Sequence, residues 1–280
     1  MIDVVADQDP LVRWALHARD ARVWRRPGAV VVACPGLSHW DRLVMNGDPA
    51  AVAELLREVL AETGETFRPF GTEELVTELV ARVPELEISA TFAWMETTTP
   101  VGPGPVDSRE ARAAGVAGGE SETADMAGGE ARAAGVAGGE ESAAGREPAA
   151  GRAVEPFWLT EPEWPEVTAL IREAYPESYA WPGHPDVYRW AGIRGADGEL
   201  LTVAAEAWST PEIGFMSGVA TRPSARGRGL GAAICAFVAD DLLTGRERVA
   251  LLVDYWNTAA LATYTRLGFG LRRVAAARRR

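Results

Sequence analysis

The chain has 280 residues, a formal net charge of −12, 47% hydrophobic residues and no lysine. An acidic balance argues against a nucleic-acid partner, and 2 cysteines and 3 histidines at scattered spacing give neither a disulfide framework nor a metal site. No apolar stretch reaches the ~20 residues of a membrane span and no signal-peptide pattern opens the chain, so no membrane partner and a cytoplasmic location are expected; abundant Ala, Arg and Gly without lysine suggest a GC-rich bacterial genome.

Taken in order, Leu11 to Ala18 has helical spacing, Ala29 to Cys34 reads as a strand, and Ser38 to Met45 as another. Asp48-Pro49 caps an amphipathic helix over Ala50 to Glu62; Glu73 to Arg82 is a second such helix, and Ile88 to Met95 a closing strand. Residues 1–97 are thus expected to form an α/β unit. From 98 to 153 the chain is Ala, Gly, Glu, Pro and Ser, with too little apolar surface to offset the entropy of ordering, and is expected to be a disordered linker. Within it the segment EARAAGVAGGE occurs at Glu110 to Glu120 and again at Glu130 to Glu140, a tandem duplication in a tether and not a solenoid.

Residues 154–280 form the second unit. Trp164, Val167, Leu170, Ile171 and Ala174 give Glu163 to Ala174 one buried helical face, and Tyr175 to Pro185 reads as an ordered loop. Strands Val187 to Arg194 and Leu200 to Trp208 follow, joined around Asp197-Gly198. The apolar run Ile213 to Val219 then feeds Arg226-Gly227-Arg228-Gly229-Leu230-Gly231, which opens a helical pattern over Ala232 to Leu243; Val249 to Val253 is a further buried strand. A strand, a glycine loop and a helix N-terminus together hold a pyrophosphate: backbone approaches without a Cβ in the way, and unpaired N–H groups converge on the charge. The dinucleotide fingerprint wants a third glycine where this chain has Ala232, and without lysine a Walker-type site is excluded. A plain glycine turn remains the alternative.

Downstream, Asn257, Ala260, Tyr264, Leu267, Gly268 and Phe269 spell Asn-x-x-Ala-x-x-x-Tyr-x-x-Leu-Gly-Phe. With the glycine loop, this resembles the acyl-CoA-dependent N-acetyltransferases of the GNAT superfamily over Val154 to Val274. The resemblance implies a mixed, mostly antiparallel α/β (α+β) sheet with flanking helices, preceded by a smaller, degenerate copy that does not bind CoA. It implies acetyl-CoA as co-substrate, no metal, and a small-molecule or peptide amine as acceptor, in a monomer or homodimer. Val219, Ala220 and Thr221 would contact the pantetheine arm, and Arg226, Gly227, Arg228, Gly229, Leu230, Gly231 and Ala232 the pyrophosphate, through backbone more than guanidinium. Tyr264 would protonate the departing thiolate or else pack its helix onto the sheet; Asn257 is a cap or a cofactor contact. Glu206, Glu212 and Asp254 are the candidate general bases by position. Tyr179, Trp181, His184 and Tyr188 would border the acceptor. Other readings are a non-catalytic acyl-CoA sensor, an aminoacyl-tRNA-dependent transferase on a paired fold, and a scaffold recruiting through the linker.

Overall fold

A computed structural model describes residues 8–102 and 155–280. Nearly all of the expected linker, with both copies of its repeat, lies outside the described residues. The N-terminal segment runs α1 (Pro10–Leu16), β1 (Arg22–Arg26), β2 (Ala29–Leu37), β3 (Trp40–Gly47), α2 (Pro49–Glu62), β4 (Arg68–Thr72), α3 (Glu73–Arg82) and β5 (Leu86–Thr97). The C-terminal segment runs β6 (Phe157–Trp158), α4 (Trp164–Ala174), β7 (Val187–Arg194), β8 (Leu200–Ala207), β9 (Ile213–Thr221), α5 (Leu230–Leu243), β10 (Arg248–Asp254), α6 (Thr258–Arg266) and β11 (Gly270–Arg279).

Local chemistry explains most boundaries. The Asp48 carboxylate accepts from the Ala50 and Ala51 N–H groups, and Pro49 supplies a preset φ, so α2 starts there. Thr72 caps α3 in the same way through the Leu75 N–H. β8 is buried at every position because helices cover both faces of the sheet, so it shows no alternation. Four strands carry no sequence signal, the two-residue β6 among them. β1 is an arginine-rich edge; β4, Arg-Pro-Phe-Gly-Thr, contains two poor strand formers and is held by neighbours on both sides; β11 has an apolar centre between arginines.

Among the described residues all strands join one 11-stranded sheet, ordered β1-β2-β3-β4-β11-β5-β10-β9-β8-β7-β6. Pairing is antiparallel except at β3–β4 and β9–β10. The two segments repeat one succession of elements: β1-β2-β3-α2-β4-α3-β5 is matched by β7-β8-β9-α5-β10-α6-β11. Each segment lends its last strand to the other, β5 lying between β10 and β11, and β11 between β4 and β5. The sheet therefore does not stop where the segments meet.

One face is covered by α1 and α4, the other by α2 and α3 over the N-terminal strands and by α5 and α6 over the C-terminal strands. The α1/α4 face carries a core common to both segments. Trp14 stacks on Phe215 with ring centroids 4.6 Å apart, lies 5.4 Å from Trp94, and donates from Nε1 to the Trp208 carbonyl at 2.8 Å. Beside it Arg13 pairs with Glu212 and Glu247.

Candidate active site

Adjacent strands β9 and β10 pair only where Ile213 to Phe215 face Arg248 to Ala250. Beyond that point β9 stays with β8 as far as Thr221, while β10 stays with β5 as far as Asp254. The sheet opens as a wedge between them, leaving the β10-facing edge of β9 without a strand partner; such backbone groups need hydrogen bonds from elsewhere. A bulge sits in this edge: Ala205 faces Ser217 and Val203 faces Ala220, so Gly218 and Val219 together oppose Ala204. Gly218 has φ +61°, and a Cβ there would stand 2.7 Å from the Trp190 ring. Val219, Ala220 and Thr221 form the stretch running from the bulge into the loop.

Gly227 and Gly229 adopt φ +73° and +75°, and nothing lies within 4 Å of a Cβ added to either. Gly229 is the N-cap of α5 and offers no side chain to its N–H groups, so the first turn presents free donors to open space. Leu230 is buried and seats the helix start, while Gly231 and Ala232 are half-buried. Arg226 donates to the Thr221 carbonyl at 3.2 Å and the Ala174 carbonyl at 3.1 Å, fastening the loop to β9 and α4. Arg228 is exposed. At the equivalent place in the N-terminal segment, the Asp48 carboxylate already occupies the α2 N-terminus, which leaves an anion no room there.

The three candidate bases differ sharply. Glu206 is 4% exposed and receives Arg189 Nε at 2.6 Å and Arg246 at 2.7 Å, beneath the C-terminal end of α5. Glu212 precedes β9 at the end remote from the bulge and is held by Arg13. Asp254 ends β10 on the open side of the wedge, half-buried, with no hydrogen bond or ion pair to its carboxylate among the described residues; burial pushes its carboxyl up from the usual range. Tyr175, directly after α4, is close enough for the Asp254 charge to raise its phenol further, burial being the larger cause.

Tyr264 is 6% exposed, packs on Phe269 at 5.7 Å, and lies beside the Cys235 thiol of α5. Burial pushes the Tyr264 phenol well up and the Cys235 thiol to about 12. Asn257 caps α6, its side-chain oxygen accepting from the Ala260 N–H at 3.1 Å. Gly268, at φ +85°, ends that helix, and the Phe269 N–H returns to the Tyr264 carbonyl, so the Leu-Gly-Phe motif is a helix stop that buries its aromatic. Of the expected acceptor wall, Tyr179 stacks on His39 at 5.0 Å beside Trp40; Trp181 anchors its loop through Ser178. His184 packs on Trp208 and Tyr188 follows Val187, the partner of Ala207, both at the other end of β8. Neither Tyr175 beside Asp254 nor His39 and Trp40 beside Tyr179 has a sequence signal, because each pairing joins residues far apart in the chain.

Comparisons with known proteins agree with this geometry. Residues 192–278 match the FR47-like protein family. A mycothiol acetyltransferase from Gordonia bronchialis is 36% identical over 110 residues, which are 34% of this chain and 35% of the relative's own length. Among solved structures, a GCN5-related N-acetyltransferase from Kribbella flavida superposes with a TM-score of 0.57 at 18% identity, covering 96% of this chain and 92% of that one. A GCN5-related N-acetyltransferase-like protein from Streptococcus suis gives a TM-score of 0.51 at 12% identity, covering 99% and 96%. The sheet has the fold of these GCN5-related N-acetyltransferases, and the FR47-like match spans the wedge and the glycine loop.

Proposed function

We propose that the protein is an N-acetyltransferase that moves an acetyl group from acetyl-CoA to an amine. The observation that carries this is the uncapped start of α5 opening beside the unpaired edge of β9. Together they fit a ligand with a diphosphate at one end and an amide-rich arm at the other: the N–H groups of residues 227–232 suit the diphosphate, and the β9 edge suits the arm in the manner of an added strand. Acetyl-CoA, when bound, supplies an activated acyl carbon.

The chain's own residues would do the rest. A backbone N–H at the Val219 bulge donates to the carbonyl oxygen as negative charge grows there, a contribution of about 100- to 1000-fold in comparable sites. Asp254 takes the proton from the incoming ammonium; Glu206 and Glu212, each neutralised by arginine, do not. Tyr264 stays protonated because its phenol is pushed up, which keeps its proton available for the leaving sulfur.

The test is calorimetric titration of acetyl-CoA, followed by CoA-thiol release with a panel of amines. Gly229→Asp, which sets a carboxylate at the α5 N-cap and strains its left-handed backbone, is expected to weaken acetyl-CoA binding by at least ~10-fold, since the added negative charge opposes the diphosphate. Absence of binding to the wild type, or undiminished binding to Gly229→Asp, would overturn the reading.

A further inference from the structure

On the α1/α4 face two arginines stand side by side without an acid. Arg42 on β3 and Arg68 on β4 are register partners on adjacent strands, so both side chains leave the sheet on the same face. Arg42 is 1% exposed, donates from Nε to the Leu37 carbonyl at 3.0 Å, and lies 4.5 Å from the Phe70 ring centroid. Arg68 stacks over Trp40 at 3.5 Å. Neither pairs with a carboxylate among the described residues. Asp41 alternates to the other face and holds the Gly36 N–H and the Thr66 hydroxyl. Elsewhere the protein matches its inward arginines with acids: Arg13 with Glu212 and Glu247, Arg189 with Glu206 and Asp241, Arg194 with Glu163 and Glu166. Two neighbouring like charges without a counter-charge are unfavourable, and a chain with 40 acids to 28 basic residues had acids to place there.

Arg42 is almost wholly buried and Arg68 half-buried. Among the described residues, the side-chain nitrogens both sealed from solvent and without a partner are four indole nitrogens and Arg248 Nε; the Nη groups of Arg42 are not among them, so their tips touch a narrow crevice. Beside it, His39 and Trp40 from one segment pack ring against ring on Tyr179 from the other. The same sheet face continues to Asp254 through register partners: Phe70 beside Ala276, Val274 beside Phe92, Phe92 beside Asp254. From β3 to β10 that is four strand spacings, roughly 19 Å.

We propose that Arg42 and Arg68 receive an anionic group, a carboxylate or phosphate, at the end of the acceptor remote from its reacting nitrogen. The substrate class is then an elongated amine bearing that anion, such as an acidic peptide. This deepens the acetyl-transfer reading and rests on it.

The test compares matched amine-bearing peptides ending in a free carboxylate, an amide or a phosphoserine, as the ratio of their kcat/KM values in wild type, Arg42→Gln and Arg68→Gln. Wild type is expected to favour an anionic acceptor over the amide by at least ~10-fold, mainly through KM, and either variant to bring that ratio toward one. The better of the carboxylate and phosphate arms names the anion. Because the ratio is internal to each protein, a partly destabilised Arg42→Gln still reports, and exposed-side Arg68→Gln repeats the measurement. Equal rates on all three peptides, or a preference that both variants keep, overturns the proposal while leaving acetyl transfer intact. If no peptide is acetylated, glutarate and inorganic phosphate are titrated against thermal stability with CoA saturating its own site. A rise in Tm that both variants lose supports the arginine site; no rise overturns it. Failure of acetyl-CoA to bind at all is a separate result, against the enzyme reading.

Discussion

Adding one methyl group at Gly218 probes the bulge that shapes the wedge. Alanine at φ +61° must adopt the left-handed conformation, which costs about 1–2 kcal/mol. Its Cβ would also lie 2.7 Å from one ring carbon of Trp190, 3.0 Å from a second, and 3.1 Å from the Ala180 Cβ. Trp190 is fully buried and cannot swing out, so this overpacking adds about 1–3 kcal/mol. Gly218→Ala is therefore expected to lose about 2–5 kcal/mol, a large share of the 5–15 kcal/mol typical of a folded protein. Urea unfolding of Gly218→Ala, Trp190→Phe and the double variant separates the two causes. The smaller ring removes the clash but not the backbone strain, so the cycle should show a favourable coupling of about 1–3 kcal/mol, the strain persisting in the double variant. Acetyl-CoA affinity should fall in Gly218→Ala and recover partly in the double. A Gly218→Ala protein within ~0.5 kcal/mol of wild type, with unchanged acetyl-CoA affinity, would refute this account of the bulge.

Burial raises the Asp254 carboxyl, so the fold favours its neutral form; that stabilisation is present at low pH and lost as pH rises through the raised pKa. Asp254→Asn should consequently raise Tm at pH 7 while slowing transfer ~100-fold or more, and the acid limb of the wild-type kcat/KM profile should lie above the ordinary aspartate range; a limb at or below that range would contradict the assignment of the base. Tyr264→Phe should slow turnover ~10- to 100-fold with acetyl-CoA affinity retained, and single-turnover measurement at equal rates would strip the phenol of its role. Asp48→Ala should cost ~1 kcal/mol in a thermal melt through loss of the α2 cap, with acetyl-CoA affinity unaltered, since the glycine loop lies in the other segment.

Elements with local causes could be read from the sequence. The α2 start follows from Asp48-Pro49, and the loop at Gly227 and Gly229 combines a left-handed backbone with a helix start. The motif around Tyr264 was likewise visible, although the Gly268 stop and the packing of Phe269 account for much of its spacing. What could not be read is set by distant partners. β4 exists because β3 and β11 flank it, against the preferences of Pro69 and Gly71. The three candidate carboxylates look alike as letters, and only the fold gives Glu206 and Glu212 their arginines and leaves Asp254 without one. Arg42 and Arg68 are unremarkable in sequence because their adjacency depends on parallel pairing across α2.

The exchange of final strands also sets the order in which the molecule can be made. As the chain leaves the ribosome, Leu86–Thr97 is synthesised long before either neighbour, Arg248–Asp254 or Gly270–Arg279. Until Gly270–Arg279 emerges, that strand has at least one bare edge, and nascent chains stalled before Gly270 should be more prone to aggregation and proteolysis than chains that carry it. Closure by such remote pairings is slow, so the sheet is completed only after Gly270–Arg279 has been made.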